Sequence, residues 1–138
     1  MKKFIKIGFI YAGFALACGV YFREFTKFNG FTAPTMLSNV HPHLFMLGAV
    51  MYLILAIFAD RYDLSGLKGY KLFNCTYNFG LILTALLMLV RGTLEVLGTP
   101  LTSSASAGIS GIAGIGHIVT TVGIVTLFSM LLRIENNK

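Results

Sequence analysis

Charged residues are scarce in this sequence. Only 12% of its 138 residues are Asp, Glu, Lys or Arg, and only five of them are acidic, whereas 56% are hydrophobic. A soluble domain carries about 25% charged residues. The few charges lie in short stretches between long apolar runs, so these runs have no polar face for water. This pattern excludes an ordinary soluble domain and favours a protein whose solvent is lipid.

Cysteines and catalytic motifs are also scarce. Cys18 and Cys75 are the only cysteines, and they fall at different depths of different apolar runs. We expect no disulfide between them, because a disulfide requires Cα atoms about 4.4–6.8 Å apart. The sequence has no GxSxG, HExxH or CxxC motif and no phosphate-binding loop, so we do not expect it to be an enzyme on its own. The net charge of +6 does not indicate nucleic acid, because the basic residues flank apolar segments.

Four apolar segments are long enough to cross a bilayer, which takes about 20 helical residues. They cover approximately residues 5–22, 42–59, 72–90 and 107–132. Lipid offers no hydrogen-bond partners to the backbone, and no alternating strand pattern points to a barrel. The sequence therefore predicts an all-α, up-down bundle of four transmembrane helices, with the whole chain as one domain.

The distribution of Lys and Arg predicts the orientation. Eight of these residues fall on the side of the two termini and the 60–71 connection, and three, Arg23, Lys27 and Arg91, fall on the other side. Cytoplasmic loops carry the excess of positive charge. Both termini are therefore expected in the cytoplasm.

The three histidines are the polar residues that most invite a functional role, because ionisable groups in a span are costly. His43 is 17 residues from Asp60, and His117 is 16 residues from Arg133. At about 1.5 Å per residue, both lie about 24–26 Å from the inner boundary. Two histidines on different helices are thus expected at one level.

The helical faces around these histidines differ in character. The face of His117 consists of small and hydroxylated residues, which suit close helix packing: Ser106, Ser110, Ala113, Gly114, Thr120 and Thr121. The face of His43 is apolar and contains Met46, Leu47, Val50 and Ile54. We therefore expect His117 inside the bundle, the fourth span to be the most enclosed, and Gly114 to tolerate Leu less well than lipid-facing Ile112 does. The glycines at 108, 111, 114 and 116 are interpreted as close helix packing.

Apolar walls with one imidazole on each side suit haem, whose iron takes axial histidines. The leading hypothesis is haem b held by His43 and His117 as metal ligands. Met46 and Gly114 would contact the macrocycle, and Arg23 or Arg91 would pair with its propionates. Another transition metal ion, a quinone-like ligand, or histidines that only hydrogen-bond water or a hydroxyl remain as alternatives.

The other polar residues have simpler interpretations. Pro42 suits the first position of a helix, so His41 is expected just outside it, as a cap and a possible further metal ligand. Arg23–Glu24 and the i,i+4 pair Arg91–Glu95 are expected to form weak interfacial ion pairs. The i,i+4 asparagines at 74 and 78 are expected to hydrogen-bond across helices.

Four stretches carry a resemblance over nearly the whole chain: Phe22–Gly30 (FREFTKFNG), His41–Gly48 (HPHLFMLG), Leu89–Gly92 (LVRG) and Ser110–His117 (SGIAGIGH). The chain resembles a family of small four-helix bacterial membrane proteins catalogued only as a domain of unknown function. The resemblance implies a bacterial plasma-membrane protein and supplies no activity. In that family the two histidines are usually separated by Thr, so Pro42 is a departure. A looser likeness, H-x-x-x-L-G, links His43–Gly48 to haem-binding helices of haem-copper oxidase core subunits.

Three functional hypotheses follow from the sequence. The first is a haem protein for electron transfer, haem sensing or haem handling. The second is a binding or transport module for a small ligand in the same outward pocket. The third is a structural subunit of a larger membrane complex. Membrane lipid is the expected surrounding, and a second copy or another membrane subunit is a possible partner; nucleic acid is not.

Overall fold

The computed structural model describes the backbone of residues 1–136 and the side chains of residues 1–134. This part of the chain forms four long helices and contains no strand. They are α1 (Lys2–Phe28), α2 (Leu37–Arg61), α3 (Tyr70–Val96) and α4 (Ser103–Asn136). A 3₁₀ turn, Leu64–Gly66, lies between α2 and α3. The predicted all-α fold with four helices is confirmed. Lys138, one of the eight basic residues counted above, lies outside the described residues.

Each helix is long and apolar enough to cross a membrane. The best 18-residue windows have mean hydropathies of 1.7 to 2.0, and the first three helices contain 27, 25 and 27 residues. At about 1.5 Å per residue these helices exceed the hydrocarbon thickness of about 30 Å. Their ends therefore extend several residues beyond the predicted spans. The chain is a multi-pass membrane protein.

Consecutive helices pack against each other in antiparallel order. Phe4 at the start of α1 lies with its ring centre 6.3 Å from that of Tyr52 on α2 and 6.1 Å from that of Tyr70 on α3. We call this the terminal end of the molecule. At the opposite, distal end, the hydroxyls of Tyr21 on α1 and Thr93 on α3 are 3.1 Å apart. The closest packing joins α3 to α4, and within residues 1–136 α4 makes no comparable packing with α1 or α2.

The α3–α4 interface depends on glycines from both helices. A Cβ on Gly80 of α3 would overlap Thr120, and a Cβ on Gly123 of α4 would come within 2.8 Å of the Tyr77 backbone. A Cβ on Gly116 would come within 2.5 Å of the Thr84 hydroxyl oxygen. Small residues let transmembrane helices approach this closely, so dispersion contacts hold the pair together.

The predicted enclosure of the fourth span is wrong. Only 28% of its apolar window is buried, compared with 39% for α3. A Cβ on Gly108, Gly111 or Gly114 would meet nothing within 4 Å, and His117 itself is exposed. The physical reason is that the small residues extend around α4 beyond the width of one helix contact. The edge that contains Gly116 packs directly on the backbone of α3.

The predicted start of the second span is also wrong. α2 begins at Leu37, so Pro42 lies inside the helix and His41 is not an external cap. Pro42 lies in the second turn of α2, so it has no N–H to donate to the Ser38 carbonyl. A π-helical segment, Leu44–Val50, follows directly. Such segments leave a carbonyl without its usual partner, and Tyr77 of α3 donates its hydroxyl to the Leu47 carbonyl at 2.6 Å.

A polar network joins α1, α2 and α3 inside the membrane region. Tyr11 donates its hydroxyl to Asn78 Oδ1 at 2.7 Å. The Asn78 amide donates to the Tyr52 hydroxyl and to the Asn74 carbonyl. The predicted interhelical bonding of the asparagine pair is confirmed for Asn78. Both cysteines are free, as expected.

Candidate functional site

His43 of α2 and His117 of α4 face each other near the distal end. Their ring centres are 6.4 Å apart, and their planes are nearly perpendicular at 88°. The common level that the residue counts predict for the two histidines is therefore confirmed. Whether the two rings can act as ligands depends on their hydrogen bonds and on the residues around them.

Both imidazoles are oriented by their own helices. His43 Nδ1 lies 2.8 Å from the Asn39 carbonyl oxygen, and His117 Nδ1 lies 2.9 Å from the Ala113 carbonyl oxygen. A carbonyl only accepts, so each Nδ1 carries the hydrogen. In the neutral imidazole, Nε2 then keeps its lone pair. Metal-binding histidines commonly have this arrangement, in which one nitrogen is hydrogen-bonded and the other is left to coordinate.

The two rings line a cavity of about 280 Å³ between α2, α3 and α4. Its other lining residues are mostly apolar: Met36, Asn39, Leu87, Met88, Arg91, Ile109 and Ala113. A larger groove of about 520 Å³ lies elsewhere, between α1, α2 and α3, and it contains no histidine. The polar groups of Tyr11 and Asn78 at that groove hydrogen-bond to each other. The smaller cavity is therefore the better candidate for chemistry.

Arg91 enters the cavity from α3 and is held by three partners. Its terminal nitrogens donate to Ser110 Oγ at 2.6 Å and Ser106 Oγ at 3.2 Å. Its Nε lies 3.7 Å from Glu95 Oε1, which confirms the predicted i,i+4 ion pair. The other oxygen of Glu95 accepts from the Met36 backbone N–H at 2.8 Å. Arg91 is thus tied both to α4 and, through Glu95, to the start of α2.

The other predicted site residues lie elsewhere. Arg23 forms the expected pair with Glu24 at 3.7 Å, but its side chain is 80% exposed and does not line the cavity. Met46 is 58% exposed, and Gly114 has open space around it; neither lines the cavity.

His41 also lies away from the pair, in the contact between α1 and α2. Its Nδ1 lies 2.8 Å from the Ala15 carbonyl oxygen. A Cβ on Gly19 would come within 3.1 Å of that same nitrogen. His41 therefore packs against α1 and faces away from the cavity.

The sequence analysis missed Met36, Met88 and Asn39 as cavity residues. Met88 and Arg91 are three residues apart on α3, a spacing that puts them on one helical face. This spacing can be read from the sequence. Assigning that face of α3 to the cavity, however, required knowing how α3 packs. Within the described residues, no group of three or more His, Cys, Asp or Glu could hold a metal ion. A centre bound here would take two imidazoles and few other protein ligands.

The helices and the histidine pair define a class of small, all-helical, multi-pass membrane proteins with a mostly apolar cavity that two histidines line. Within that class, the chain belongs to a protein family of unknown function, DUF2871, whose family signature matches residues 1–134. No curated protein and no solved structure matches the chain. Function must therefore be argued from the site.

Proposed function

We propose that this protein binds haem b in the membrane, with His43 and His117 as the two axial ligands of one iron. The separation of the rings carries this proposal. Two imidazoles that bind one metal from opposite sides, at bond lengths of about 2.0–2.1 Å, have ring centres roughly 6 Å apart. The observed separation is 6.4 Å.

The chemistry of the surrounding residues favours haem over a bare ion. Haem supplies the equatorial nitrogens itself and needs only axial ligands from the protein. This suits a site with two histidines and no third His, Cys, Asp or Glu within the described residues. Leu87, Met88 and Ile109 provide apolar contact at the cavity. The cavity of about 280 Å³ is slightly smaller than typical ligand pockets, which are about 300–1,000 Å³. A bound macrocycle would therefore extend beyond it.

Haem bound between two imidazoles would supply one-electron chemistry. The protein's own contribution is to present two imidazoles, oriented by the Asn39 and Ala113 carbonyls. Such a site serves electron transfer, haem sensing and haem handling alike. We assign the protein to the bacterial plasma membrane as part of this proposal.

A second candidate is a soft metal ion, and one observation favours it. Met36 and Met88 line the same cavity as the histidine pair. Thioethers select Cu(I), and imidazole also suits copper. Copper binding would require the methionines as well as the histidines, whereas haem binding would require the histidines alone.

Absorption spectroscopy tests the proposal. The purified protein, as isolated or titrated with haemin, is expected to show a Soret band with low-spin features. His43→Ala and His117→Ala should each remove or alter that spectrum. His41→Gln is the control, because its ring hydrogen-bonds to Ala15 on α1 and its substitute keeps a donor.

Two results would contradict the proposal of haem bound by His43 and His117. One is the absence of a Soret shift in the intact protein. The other is unchanged haem affinity in His117→Ala. Copper(I) binding that is lost in Met36→Leu and Met88→Leu, without any haem spectrum, would favour the second candidate.

A further inference from the structure

The two helices that carry the histidines depend on α3 for their relative position. α2 and α4 each pack on α3, and within residues 1–136 they have no extensive contact with each other. The separation of His43 and His117 is therefore determined by how each helix is attached to α3. At the distal end, both attachments involve one pair of residues.

The start of α2 is attached to α3 through Glu95. The first N–H groups of a helix have no partner within the helix, and here Glu95 Oε2 accepts from the Met36 N–H at 2.8 Å. A carboxylate at this end also interacts favourably with the helix dipole. Beside it, Thr35 donates its hydroxyl to the Gly92 carbonyl at 3.2 Å. His43 lies seven residues after Met36, about two helical turns away.

The start of α4 is attached to α3 through Arg91. Two guanidinium nitrogens donate separately to Ser106 and Ser110, which are one turn apart on α4. The planar fork of a guanidinium presents separate donors to two acceptors in a fixed geometry. His117 lies seven residues after Ser110, again about two turns away.

The two attachments are joined, because Arg91 Nε lies 3.7 Å from Glu95 Oε1. The side chains are only 28% and 36% exposed, compared with 80% and 57% for the Arg23–Glu24 pair. We infer that Arg91 and Glu95 are positioning residues that set the separation of the His43–His117 pair, by connecting the start of α2 to the start of α4 across α3. The inference rests on the proposed function only for the consequence that haem coordination depends on this separation.

This role of Arg91 is distinct from the predicted pairing with a propionate. Each terminal nitrogen donates one of its two N–H groups to a serine. Lysine would keep the charge but lacks the fork. Arg91→Lys consequently separates the two roles: it preserves attraction to an anion and removes the fixed fork that contacts both Ser106 and Ser110.

The first experiment needs no haem. Nitroxide labels at Met46 and Ile118, whose side chains are 58% and 66% exposed, report the separation of α2 and α4 by pulsed EPR, with both native cysteines replaced by Ala. Arg91→Lys and Glu95→Gln are expected to shift and widen the distance distribution, and Arg23→Ala is the matched control. Unchanged distributions in both variants would overturn the inference.

The second experiment uses the same variants loaded with haem. Altered low-spin g values in Arg91→Lys, with the fold retained by circular dichroism, would support positioning. Full retention of the parent spectrum in Arg91→Lys, with loss in Arg91→Ala, would show a charge role and overturn positioning. If the labels move but the parent binds no haem, the proposed function fails and the positioning role stands.

A third variant covers the case in which substitution at Arg91 prevents folding. Ser106→Ala combined with Ser110→Ala removes the acceptors on α4 and leaves the ion pair on α3 in place. This double variant is expected to widen the label distances as Arg91→Lys does. Distances equal to those of the parent would overturn the connection through Arg91.

Discussion

Replacing Gly116 by Ala is the sharpest test of how α4 is held. The new Cβ would come within 2.5 Å of the Thr84 hydroxyl oxygen and 3.2 Å of the Thr84 backbone nitrogen. Thr84 is only 3% exposed, so its side chain has little room to turn away. The backbone contact means that the helices themselves must separate.

The expected cost follows from this overlap. Inserting a methylene into a well-packed contact typically costs about 1–3 kcal/mol. The glycine-to-alanine change also favours helix by up to about 1 kcal/mol, which offsets part of the loss. We therefore expect Gly116→Ala to lower the free energy of unfolding by about 1–2 kcal/mol, measured by titration with a denaturing detergent against a mild one.

Gly114→Ala is the matched control, because the two glycines lie two residues apart on the same helix. A Cβ at Gly114 meets nothing within 4 Å, so the substitution should be neutral or slightly stabilising. Equal destabilisation by both substitutions would refute the assignment of Gly116 to the contact and Gly114 to open space. The same comparison with Leu in place of Ala should enlarge the difference.

Two further predictions concern the π-helical segment and the topology. Tyr77→Phe removes the donor to the Leu47 carbonyl, so the free energy of unfolding should fall by about 0.5–2 kcal/mol; no change in the same detergent titration would mean that the carbonyl has another partner. Reporter fusions at the C-terminus and within residues 99–102, between α3 and α4, should report opposite sides of the membrane, with the C-terminus cytoplasmic; reporters on one side would contradict four crossings.

The number of helices and the level of the histidines were predictable because they follow from local properties. Long apolar runs specify spans, and a constant rise per residue converts counts from Asp60 and Arg133 into depth. No knowledge of packing is needed for either argument. The ion pair of Arg91 and Glu95 was likewise predictable from its i,i+4 spacing.

The enclosure of α4 was not predictable, because a small residue permits close packing without requiring it. Gly114 and Gly116 are the same residue type, and they differ only in their angular positions relative to α3. Met88 was missed because a methionine in a transmembrane span cannot be distinguished from any other apolar residue until its helical face is known. The start of α2 was misjudged because Pro42 was assigned the first helical position, which it prefers without being confined to it.

Within residues 1–136, α4 packs extensively only on α3, and this arrangement has a consequence for biosynthesis. Polypeptides emerge from the ribosome with the N-terminal segments first, so α1, α2 and α3 can enter the bilayer and pack while α4 is still being made. His43 is present at that stage, but its partner is on the last helix. The paired site therefore comes into existence only when synthesis is nearly finished. A truncated or stalled product that lacks α4 would therefore present His43 without its partner His117.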